Sequence, residues 1–273
     1  MVVIHLSKSN FALREIRMKD IILNEVKKAE DLISCGDTLG DIKSTMSLLA
    51  RYDIQHCGMS PNDAYSHVLA FTQKAYPEVG RSYIDTRLEY YVAHAADFPL
   101  SEIDYIPITS AEVEALAALD GIRIKCLAFA ALAIAKHDIC VCPDTNYWIR
   151  GDRWGELTRR ANLTLTGDDT ALMFHRLYVS NMIATQNRVN GSSIQVLFAD
   201  PDGVGEEVMR LVNADFYDLG YRLKAYYGER FFRCAECGRW VKQAKNGRRR
   251  FCNGCATGNH AKTALKSYYR KKS

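Results

Sequence analysis

The chain has 273 residues, 48% of them apolar, with 36 Lys and Arg against 32 Asp and Glu. That length and apolar content suffice for one large or two to three small domains with real cores. They leave no room for a membrane span, because the apolar run from Cys126 to Ala135 is bounded by Lys125 and Lys136 and reads as a buried helix. The opening MVVIHLSKSN lacks a charged segment followed by an apolar stretch and a cleavage site, so no secretory signal is expected.

The net charge of +4 hides an asymmetry. From Arg230 onward there are 13 Lys and Arg against Glu236 alone, a net +12, and the rest of the chain carries −8. An acidic body thus holds out a basic end.

In chain order, apolar residues at helical spacing predict a helix over 10 to 33, closed by Cys35-Gly36, and a second over 41 to 56. Ser60 caps a third, with Pro61 in its first turn, and a fourth covers 81 to 96 before Pro99. Thr109 and Glu112 form a capping box ahead of a short helix, and a more apolar helix follows over 123 to 136. Residues 146 to 150 read as a short strand, and 152 to 161 and 166 to 180 as two helices. Strands over 182 to 187 and 194 to 199 flank Asn190-Gly191, a dipeptide suited to the positive φ of a hairpin turn. A last helix over 214 to 227 leads into the cysteine-rich end.

The expected fold is therefore mainly α: a helical domain over 1–104, a winged helix-turn-helix-like domain with a β-hairpin wing over 105–212, and over 213–273 a connecting helix with a small zinc module. Acids Asp168 and Asp169 open the third helix of the winged segment and would repel phosphate there, so that domain is open to DNA contact or to protein contact and dimerisation.

Cys234-x-x-Cys237 and Cys252-x-x-Cys255 carry the strongest chemical signal. Two residues between cysteines let one tight turn aim two thiolates at the same ion, and two such turns complete a tetrahedral Zn²⁺ site. A module of this size cannot bury enough apolar surface to fold alone, so the metal would be structural. With nine cysteines and no signal, a reducing compartment, the cytoplasm, is expected. Cys140-x-Cys142 beside His137 has no partner pair and reads as loop or core packing, as do Cys35, Cys57 and Cys126.

The cations around the thiols exceed what a thiolate centre needs. Arg239, Lys242, Lys245, Arg248, Arg249 and Arg250 surround the cysteine pairs, and Asn259 can cap a terminal helix. On that helix Lys262, Lys266 and Arg270 form one stripe, followed by Lys271, and Arg188 sits on the expected wing. This pattern suits a polyphosphate partner: nucleic acid, with DNA the favoured kind. A rival expectation is a protein-directed adaptor or inhibitor that binds a host protein or ribonucleoprotein complex. Catalysis finds little support, since the chain has no Gly-x-x-x-x-Gly-Lys loop and no His-x-Glu ahead of the cysteines.

The residues Cys237-Gly238, Asn246-Gly247, Arg249-Arg250-Phe251-Cys252, Cys255 and Gly258-Asn259 resemble the treble-clef zinc-finger class named for its Cys-Gly-Asn-Arg motif. Two residues, Ala256-Thr257, intervene before Gly258-Asn259, and His260 stands where that motif has arginine. The resemblance implies DNA binding. Segments such as Ile106-Pro107-Ile108-Thr109, Leu127-Ala128-Phe129 and Phe216-Tyr217-Asp218-Leu219-Gly220-Tyr221 resemble proteins of Gram-positive phages and integrated elements. That likeness implies a mobile-element origin in a bacterial host cell; the role expected there is regulatory or replication accessory, or, on the rival reading, anti-CRISPR-like inhibition of a host defence complex.

Overall fold

A computed structural model describes residues 21–188, 191–243, 247 and 249–258. The fold is mainly helical, with three small antiparallel sheets among the described residues.

The N-terminal unit packs α1 (Glu25–Cys35), α2 (Ile42–Arg51), α3 (Pro61–Ala75) and α4 (Arg81–Ala93) around Leu32, Met46, Leu49, Val68, Ile84 and Leu88. Side-chain caps set its starts: Asn24 accepts from the Lys27 amide, Asp41 from Lys43 and Ser44, and Ser60 from Asp63. The second helix does not run evenly to 56. It changes at Arg51 to a π turn over Tyr52–His56, which sinks Asp53 into the interior with its carboxylate 2.8 Å from His67 Nδ1.

Of the helix predicted over 10 to 33, the described part is helical only from Glu25. Residues 21 to 24 lie ahead of α1, tied by the Ile103 amide to Leu23 O and the Glu25 amide to Ser101 O, and residues 1–20 lie outside the description. Ile21 and Leu23 belong to the core of the middle unit, and that burial outweighs their helical periodicity.

The middle unit is built on α6 (Ile122–Val141), longer than predicted and buried without a break from Cys126 to Lys136. It can be apolar all round because α5 (Ser110–Ala117), α7 (Trp154–Arg160), α8 (Gly167–Val179) and α9 (Leu219–Tyr226) all touch it. No described helix is long and apolar enough to cross a membrane. The strands β2 (Trp148–Arg150), β3 (Ile183–Arg188) and β4 (Gly191–Val196) form an antiparallel sheet in the order β2-β4-β3. Arg188 pairs with Gly191, so the hairpin closes over two residues, tighter than predicted.

A second pair joins β1 (Ile106–Thr109) to β5 (Glu207–Leu211). No strand is predicted over 207–211, although Met209 and Leu211 point inward and Arg210 outward in strand alternation, which breaks at the irregularity that sets Glu207 opposite Thr109. The predicted helix over 214 to 227 is instead a 3₁₀ turn, Asn213–Tyr217, followed by α9. Phe216, Leu219 and Leu223 join the same core, so it reaches beyond 105–212 at both ends. Gly220 lets α9 approach α7: a Cβ there would lie 1.9 Å from Ala161 O.

One buried ion pair links the two sheets' supports. Glu112, fully buried, accepts from Lys136 Nζ at 2.8 Å and from the amides of Thr109 and Asp200 at 2.9 and 3.0 Å. Every lone pair it turns inward is used. Glu112→Ala would leave the Lys136 ammonium buried without a partner and should lower the unfolding free energy by about 3 kcal/mol. Glu112→Leu combined with Lys136→Met should recover most of that loss in urea denaturation.

Candidate metal centre and the basic C-terminal face

The C-terminal module opens with a hairpin of β6 (Phe231–Arg233) and β7 (Trp240–Lys242), Phe232 opposite Val241. Between them the chain folds into a knuckle. The Gly238 amide donates to Cys234 O and the Cys234 amide to Arg239 O, with Gly238 at φ 71°. This turn sets Cys234 and Cys237 side by side. The second pair sits at the start of a helix over 253–258, where the Cys252 amide donates to Cys234 Sγ at 3.3 Å and the Cys255 amide to Cys252 Sγ at 3.4 Å. The Ala235 amide bonds to Arg250 O and joins the two halves.

All four sulfurs lie within 4.8 Å of one another, and Cys237 and Cys252 stand 3.8 Å apart. A tetrahedral ion with metal–sulfur bonds of about 2.3 Å requires sulfur–sulfur edges of about 3.8 Å. The four are free thiols rather than disulfides. These cysteines could hold a metal ion, and four thiolates would fill a tetrahedron without leaving a position for substrate.

Burial works to raise the Cys234 thiol, but the amides of Cys237, Cys252 and Glu236 outweigh it and bring it down to about 6. Hydrogen bonding with Cys252 and Cys237 pushes Cys255 up to about 12, and burial raises Cys237. One easily formed thiolate among reluctant thiols is what four close sulfurs give until a cation attracts all of them at once.

Two acids that sequence reading passed over fasten this module to the body. Asp215 is fully buried; its Oδ1 accepts from Trp240 Nε1 at 2.6 Å and from Arg233, and its Oδ2 from the Val212 amide at 2.8 Å. Asp218, also buried, takes both arms of Arg239 at 3.0 Å. Arg222 lies over the Trp240 ring, Arg239 over Tyr217, and Phe231 stacks on Tyr221. A Cβ on Gly238 would come within 2.9 Å of Ala214 Cβ, so the knuckle rests directly on the body.

The predicted contact residues divide accordingly. Arg239 is engaged by Asp218, and that acid raises the affinity of its guanidinium for the proton. Lys242, Arg249 and Arg250 are exposed, and Arg249 reaches Asn253 Oδ1 at 3.0 Å. Arg188 ends β3 at the hairpin turn. Lys245, Arg248, Lys262, Lys266, Arg270 and Lys271, with the expected cap Asn259, lie outside the described residues. Cys35, Cys57, Cys140 and Cys142 are exposed and stand apart from the cluster, whereas Cys126 is buried and its thiol pushed up to about 11 by that burial.

A cleft of about 1340 Å³ runs past this face toward the N-terminal unit. Its Arg51 pairs with Glu25, Arg153 with Asp138 and Glu156, and Arg239 with Asp218, so these charges serve the fold. In a double-mutant cycle, Asp218→Ala and Arg239→Ala should show a coupling of about 1 kcal/mol in unfolding free energy, below buried-pair values because the Arg239 side chain is half exposed. No protein-family model, curated protein or solved structure matches this chain, so its chemistry and geometry carry the functional reading.

Proposed function

We propose that the protein binds nucleic acid, DNA in the first place, through a basic treble-clef-like module folded around a structural Zn²⁺. The observation that carries this reading is the coincidence of two features in one module. Four sulfurs converge within 4.8 Å of one another, and the segment that holds them has a net charge of +12. Zinc suits an all-thiolate set, since it is borderline soft and imposes no other geometry. Its role there is to supply folding free energy.

The cations have more to do than support the centre. Arg233 and Arg239 are occupied by Asp215 and Asp218, which accounts for two of 13. Lys242, Arg249 and Arg250 are exposed on the same module, close to the second cysteine pair and the hairpin. Such a cluster attracts phosphates by releasing their condensed counterions. The middle unit supports the reading as a platform of winged-helix type: three helices, α6, α7 and α8, with a three-stranded β2-β4-β3 sheet whose last two strands form the wing, ending in Arg188. A regulatory or replication accessory role in a mobile element fits a protein that binds DNA without catalysing a reaction on it.

Two outcomes are expected. Native protein should contain one zinc per chain by elemental analysis, and Cys237→Ser should lower that content and loosen the module, seen as new protease cleavage after Tyr227. Binding to a DNA duplex through six or so phosphates should weaken about a thousandfold between 50 and 200 mM salt. Arg249→Gln with Arg250→Gln should then flatten the slope of log K against log salt by about 2. Affinity that does not change with salt would contradict the phosphate reading.

A further inference from the structure

Helix α8 occupies the place where a winged-helix protein carries its base-reading helix, yet its outer face is not built for phosphate. Its buried side is Met173, Phe174 and Leu177. The opposite side carries Asp168, Leu172, His175 and Val179 in one stripe, flanked by Asp169, Arg176 and Tyr178, all exposed. Three of these are large apolar groups in water: Leu172 is 51% exposed, Tyr178 53% and Val179 68%. Leu197 is also exposed, and its amide bonds to Met182 O just past the end of α8. Asp168 and Arg176 form no ion pair among the described residues, while Asp169 spends one oxygen on the Thr166 amide at the cap.

The charges on this stripe are arranged symmetrically about Leu172. Asp168 lies four residues before it and Arg176 four after; Asp169 lies three before and His175 three after. Two such helices laid antiparallel about a two-fold axis at Leu172 therefore set Asp168 and Asp169 of each copy level with His175 and Arg176 of the other, within reach of the long arginine side chain, and bring Leu172 to its own counterpart. The half-buried Leu165 would meet Val179 seven residues out on either side. Acid at one end and base at the other, with apolar groups between, is the self-complementary pattern that a two-fold contact requires.

We propose that the exposed face of α8 is a self-association surface, pairing antiparallel with the same helix of a second copy of this chain. The inference stands independently of nucleic-acid binding by the cysteine module. The interface is one helix wide, smaller than a standard stable interface, so the dimer is weak and concentration-dependent. The acids at the start of α8, which would repel DNA in a groove, here face a cation instead. The pairing would also set two basic modules in a fixed relation, as two half-sites on a duplex demand.

The test is sedimentation equilibrium of the full-length, zinc-loaded protein without DNA, up to about 200 µM, the range in which a contact of this size should be populated. Wild type should self-associate. Asp168→Arg and Arg176→Asp should each weaken association at least tenfold by placing like charges opposite one another. The double reversal, Asp168→Arg with Arg176→Asp, should restore it. Fraying of the helix start by Asp168→Arg alone would not be repaired by a change two turns away, so the rescue separates a broken contact from a damaged helix. Wild type that stays monomeric throughout, or a double reversal as weak as the single variants, overturns the proposal.

Discussion

Two buried carboxylates hold the most basic part of the molecule to its acidic body. Asp215 and Asp218 lie in the 3₁₀ turn and just before α9, next to Phe216 and Leu219 in the main core. A buried carboxylate is tolerable only when its oxygens are used, and here the partners come from the cysteine module: Arg233 and Trp240 for one, Arg239 for the other. Those three side chains stand on the β6–β7 hairpin and the knuckle. The knuckle and the second cysteine pair meet at the sulfurs, so whatever fixes the sulfurs also fixes the donors that satisfy the body. A metal held by those sulfurs would thereby be coupled to the middle unit, and the described part of the module is no independent bead on a linker.

That connection gives the charge distribution a purpose beyond solubility. The body is net acidic and the tail net basic, and attraction between them is spent at two defined points rather than over a collapsed surface. The anchors orient the hairpin; Lys242, Arg249 and Arg250 remain on the exposed side. On the same core, α8 leaves Leu172, Tyr178 and Val179 exposed. The cysteine module and α8 are thus set on one core through α6 and α9, which pack directly against each other.

Much of this was legible in the residues themselves. Caps at Ser60 and Thr109 placed two helix starts, because a short polar side chain satisfying an amide is a local event. The paired cysteines converge as their spacing implies. What was hidden depends on distant partners. Ile21 and Leu23 follow helical spacing but are captured by a core assembled some eighty residues later. The inward and outward alternation of β5 gained meaning only with β1 to pair against. Asp215 and Asp218 fall in the predicted helix over 214 to 227 with no local signal to mark them; only the fold turns them toward Trp240 and Arg239.

The central claim is that one ion organises the four sulfurs and, through them, the cationic face that meets DNA. Its most direct test is fluorescence anisotropy of a labelled duplex titrated with full-length protein in three states: as isolated, stripped of metal by a chelator, and stripped then reloaded with one equivalent of Zn²⁺. The account predicts binding in the first state, its loss in the second and its return in the third. Equal affinity with and without the metal would contradict it.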